Sequence, residues 1–160
     1  MPGSHPYREL ERPLRGPLSF GEKAKAALIG LRKMEPLLEI ASRGLERSMP
    51  QSERLKYASL LGRSVSTERI HAHLAGETDS AVQEALAYAF ARAYARKLER
   101  FRDSLCGKHS AMGAIFIVAE RDAYSNAARA QAADLINSGD IVSSSARAAL
   151  ESVAFGRAQV

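Results

Sequence analysis

Cys106 and His109 stand three residues apart, and His71 and His73 stand two apart. Thiolate and imidazole are the groups that bind zinc, and they also serve as nucleophile and base. The spacing argues against a metal. Side chains two apart on a helix point in nearly opposite directions, so His71 and His73 do not converge on one ion. Structural zinc sites also usually hold more than one thiolate. Cys106 with His109 lacks an orienting third group and an oxyanion loop, so a partly buried structural cysteine is expected. Glu120, Arg121 and Asp122 follow the most apolar segment of the chain. A carboxylate beside such a core would have a raised pKa and could act as an acid. On a helix these three residues point in three directions, and no second carboxylate pairs with Glu120. Ser138-Gly139-Asp140 reads as a turn rather than a phosphate cradle. No motif supports an enzyme, a metal or a cofactor, and none of these is expected.

The stretch YASLLGRSVSTERIHAHLAG, residues 57–76, carries a different chemistry. Tyr57, Ala58 and Leu61 suit the inner face of one short helix, Gly62 suits a turn, and Val65, Ile70 and Leu74 suit the inner face of a second. This resembles a helix-turn-helix whose turn is about two residues longer than the tightest form. In such a unit the second helix enters the major groove. Ser66, Thr67 and Arg69 would then open the reading helix, with Arg69 on guanine and Thr67 on phosphate. His73, or His71, would reach a base or a phosphate. Arg54 and Lys56 would flank the backbone. The competing reading is two packed helices that meet at a glycine.

A second basic feature is ARAYARKLERFRD, residues 91–103, where Arg92, Arg96 and Arg100 recur every four residues. Such a row could follow a phosphate backbone. Glu99 and Asp103 fall on the same face, three residues from Arg96 and Arg100, so a self-neutralised solvated surface is expected.

The elements that position these residues read as helices throughout. Residues 1–18 hold four of the six prolines and show no period, so they read as a flexible arm. Ser19 to Glu22 has capping-box spacing. It leads into a heptad-like seam of Ala27, Leu31, Met34, Leu38, Ala41 and Leu45, with a kink expected at Pro36. Pro50 opens a helix that stops at Gly62. Ser64 or Ser66 caps a short helix ending at Gly76. Thr78 or Asp79 caps a long helix to about Cys106, with Val82, Leu86, Phe90, Tyr94, Leu98, Phe101 and Leu105 as its apolar stripe. Ser110 caps another to about Asn137. Its segment AIFIVA is apolar all round, which places it at the centre of a bundle. A serine among 143–145 caps the last helix. No period-two alternation calls for a sheet.

The expected fold is therefore all-α: a bundle of five to six helices in one domain over 19–160, behind the arm at 1–18. The net charge of +5 is uneven. Residues 1–75 hold 13 Lys/Arg against 8 Asp/Glu, while 76–160 hold 10 against 10. Any acidic partner should meet the first half. One cysteine allows no internal disulfide, which suits the cytoplasm. The longest apolar run, 111–119, falls short of the ~20 residues of a bilayer span, so no membrane is expected. Two functions compete. One is a DNA-facing regulator using residues 52–75. The other is a protein-interaction module, such as an adaptor, inhibitor or secreted factor. The long Ala-rich helices also suit a homodimer.

Overall fold

A computed structural model describes residues 41–63 and 66–156, and all regular structure among them is helical. The arm at 1–18, the capping box at Ser19 and the kink at Pro36 lie outside the described residues. Residues 41–44 are helical, and Ala41 and Leu45 of the heptad-like seam lie in the core. Five complete helices follow: α1 (Gln51–Leu61), α2 (Thr67–Ala75), α3 (Ser80–Leu105), α4 (Ala111–Asn137) and α5 (Ser144–Ala154).

Local chemistry sets their ends. Pro50 takes the cap position of α1, where its missing N–H costs no helical hydrogen bond. Three side chains cap by accepting from backbone N–H groups that the helix leaves unpaired. The Asp79 carboxylate accepts from Ala81 and Val82 at 2.9 and 3.0 Å at the start of α3. Ser110 Oγ accepts from Gly113 at 3.0 Å on α4, and Ser143 Oγ accepts from Ala146 at 3.2 Å on α5. After α4, Gly139 adopts a φ of +77°, a backbone state that a side chain disfavours, and so turns the chain towards α5.

The core forms around the first half of α3. Val82, Leu86, Phe90 and Ala93 are fully buried there, and α1, α2, α4 and α5 all pack against this helix. Alanines at 87, 89, 128, 132, 146 and 149 line the contacts, so the helix axes approach closely. A buried amide ties the layers together. Gln83 Nε2 donates to the carbonyls of Glu77 at 2.8 Å and Asp140 at 2.9 Å, and its Oε1 accepts from Val142 N–H at 3.1 Å. One side chain thus serves three backbone groups from two loops.

Burial stops abruptly beyond this body. Past Ala93 only Phe101 of α3 is buried, and before Ala128 nothing on α4 is. The end of α3 and residues 111–127 of α4 therefore leave the body as a two-helix hairpin whose arms are about 18 and 25 Å long at 1.5 Å per residue. Its inner face is aromatic. The Tyr94 and Tyr124 rings stack with centroids 6.2 Å apart, Phe101 tilts against Tyr124 at 6.2 Å, and Lys97 Nζ sits 5.1 Å above Phe101. Tyr94 Oη and Ser125 Oγ share a hydrogen bond of 2.8 Å.

Candidate interaction surface

The segment AIFIVA does not lie at the centre of the bundle. It forms the outer end of the hairpin, and no residue of 111–119 is buried. Met112, Ile115 and Phe116 are 60–62% exposed. The reason is geometric. Phe101 and its half-buried neighbours on α3 cover only one side of α4 here, and a segment that is apolar all round needs cover on every side. The apolar exposure continues along the helix. Met112, Phe116, Ala119, Ala123, Asn126 and Ala130 are all exposed, and their steps alternate four and three. That spacing places them on one stripe, the arrangement that a second helix covers by knobs-into-holes packing. Glu120, Asp122 and Arg129 stand at its edges.

The corner at 57–76 is built differently from a groove reader. α1 and α2 each pack chiefly on α3 rather than on each other. Gly62 serves that packing, since a Cβ there would lie 3.3 Å from the Ala89 Cα and the Arg92 guanidinium. Arg54 does not flank a nucleic-acid backbone. It is buried, donates Nε–H to the Leu45 carbonyl at 3.3 Å and forms an ion pair with the buried Glu77. Thr67 likewise points inward, 4% exposed, and its hydroxyl donates to Gln131 Oε1 at 2.8 Å. Their inward turn follows from where the two helices bury their apolar sides, because each lies at helical spacing with core residues: Arg54 with Tyr57, Ala58 and Leu61, and Thr67 with Ile70 and Leu74. His73 is partly buried, with Nε2 3.1 Å from Ser42 Oγ, and burial and the nearby Arg69 hold its imidazole below the usual pKa. Ser66 and Arg69 are partly exposed and Lys56 is exposed, its Nζ 3.6 Å from Glu53 Oε1. The exposed positions of α2 are Glu68, Ala72 and Ala75.

The remaining candidates separate as well. His71 meets Asp134 on α4 at 3.0 Å, facing away from His73. Among the described residues no cluster of His, Cys, Asp or Glu has the arrangement of a metal site. Cys106 is exposed rather than partly buried, because it lies in the hairpin's outer turn, and the His109 ring donates to the Ser104 carbonyl instead of facing the thiol. Glu120 and Asp122 are exposed, and Arg121 contacts Asp122 at 3.3 Å. The expected pairing of Arg96 with Glu99 and of Arg100 with Asp103 does not form among the described residues, where Asp103 instead lies 4.0 Å from Arg102. No described helix is long and apolar enough to cross a membrane.

Two features escaped the sequence reading. Glu77 and Gln83 both sit in the core, and the sequence signal for Gln83 was a polar residue beside Val82 in the apolar stripe of α3. A cleft of about 250 Å³ opens between Leu45, Ala72, His73, Gly76 and Leu86. Its inner polar groups, Arg54 and Glu77, already satisfy each other. The chain matches no protein-family model, no curated protein and no solved structure.

Proposed function

We propose that this chain is a non-enzymatic helical protein-interaction module, and that the outer face of α4 is its contact surface. One observation carries the reading: a segment apolar on every side, 111–119, is covered on one side only at the end of a hairpin, and leaves Met112, Ile115 and Phe116 exposed. Exposed apolar patches of this kind mark sites of association. An amphipathic helix laid along the stripe would cover Met112 and Phe116 while leaving the edge charges in water.

A DNA-facing role for residues 52–75 has less support. Two of its six candidate contacts are turned into the core, and the outside of α2 offers a carboxylate and two methyl groups. Duplex DNA titrated at low and high salt separates the two readings. A nucleic-acid role requires binding that weakens steeply as salt rises, whereas the present proposal expects none.

The positive test places a photo-crosslinking residue at Phe116 in the full chain, in its own cells, with a control at the exposed Ala148 on α5. Discrete protein adducts from position 116 and not from position 148 support the module. Absence of a discrete adduct at position 116 overturns it.

A further inference from the structure

We propose that the occupant of this face is a second copy of the chain, with the two α4 helices antiparallel. The inference rests on the interaction-module reading and names its partner. The alternating four-three stripe supplies the packing positions. Antiparallel pairing of such a stripe brings Phe116 opposite Ala133 of the other copy, Ala119 opposite Ala130 and Ala123 opposite Asn126. Phe116 and Asn126 then each meet an alanine, and the alanines allow close approach.

Charge selects this register. In an antiparallel pair the residues on one flank face their own counterparts, so Asp122 of each copy meets Arg129 of the other, twice by symmetry. Both residues are exposed: among the described residues Asp122 contacts its neighbour Arg121, and the Arg129 guanidinium lies beside Gly156, from which it would turn to reach the other copy. A parallel pair would instead set Phe116 against Phe116 and Asn126 against Asn126, and leave Asp122 facing Ala127. The edges of the stripe also argue against an anionic surface or nucleic acid as occupant. Glu120, Asp122 and Asp134 outnumber Arg129 there, while the arginine row at 92, 96 and 100 belongs to α3.

Sedimentation equilibrium on the full 17.4 kDa chain tests the proposal. The expected result is a dimer that dissociates on dilution. Phe116→Glu should be monomeric. Asp122→Arg alone, or Arg129→Asp alone, should weaken association about tenfold, as two attractive exposed pairs turn repulsive. The double exchange Asp122→Arg/Arg129→Asp should restore it. These positions are exposed, and unchanged helical circular dichroism and melting confirm that each variant is folded. A monomer at all concentrations, no effect of Asp122→Arg, or a double exchange that fails to restore association overturns the antiparallel dimer. A crosslink from position 116 to a different protein, with a monomeric chain, leaves the interaction module standing and removes the dimer alone.

Discussion

The guanidinium of Arg54 and the carboxylate of Glu77 pair inside the protein, their side chains 8% and 5% exposed. The pair joins α1 to the segment that leads into α3, and Glu77 Oε1 also accepts from Asp79 N–H at 3.1 Å, beside the cap of that helix. Removing one partner strands a buried charge. Arg54→Ala is expected to cost about 3–5 kcal/mol in urea unfolding. Arg54→Met combined with Glu77→Gln keeps the acceptor without the charge and should recover part of that loss. An Arg54→Ala loss below about 1 kcal/mol would show that water reaches the pair.

Gly44 and Gly76 form a matched test of packing. A Cβ at Gly44 would fall 1.8 Å from the Tyr57 ring, which is buried and cannot swing away. Gly44→Ala should therefore cost about 1–3 kcal/mol through forced repacking. At Gly76 a Cβ meets nothing within 4 Å and φ is −108°. Gly76→Ala should leave stability unchanged or raise it by about 0.4–1 kcal/mol through the unfolded chain. Thermal melts of both variants check the contrast.

Stability should fall away on both sides of neutrality. Burial and Arg69 lower the His73 pKa below 6.5, with Glu77 opposing. Below that value the unfolded chain takes up a proton that the folded chain refuses, so this contribution is complete above pH 6.5 and is lost as pH falls through the folded value. On the alkaline side burial pushes the Tyr124 phenol up to about 12, with Tyr94 adding and a hydrogen bond with Thr67 opposing. Its contribution is complete below the usual value of 10 and is lost as pH rises through about 12. Unfolding free energies measured across pH should show both declines. His73→Gln should flatten the acid one and Tyr124→Phe the alkaline one.

The hairpin face should be dispensable for folding. Phe116 is 62% exposed, so Phe116→Glu should change the unfolding free energy of the isolated subunit by no more than about 0.5 kcal/mol. A large loss at dilutions where the chain is monomeric would mean that Phe116 belongs to the fold rather than to a partner.

The helices were legible because their punctuation is local. Pro50, Asp79, Ser110, Ser143 and Gly76 each act within a turn or so of their own position, and the helix ends fall where those residues put them. What the chain buries was less legible, because burial depends on which helices are long enough to cover one another. AIFIVA carries the pattern of a core segment, yet α4 outruns the helices of the body. Arg54 and Thr67 look like surface residues in sequence, and their partners lie 23 and 64 residues away, at Glu77 and Gln131. The arginine row on α3 misled for a related reason: favourable spacing does not force two exposed side chains to meet.

Gln83 sets a timetable for synthesis. Two of its three hydrogen bonds go to Asp140 and Val142, 57 and 59 positions further along the chain. While the ribosome is still making α4, that amide has only the Glu77 carbonyl, and water must serve its other groups. The layers around α3 should therefore close only once residues 140–142 have been made. A nascent chain stalled before residue 140 should remain open to protease, and its resistance should appear in one late step rather than helix by helix.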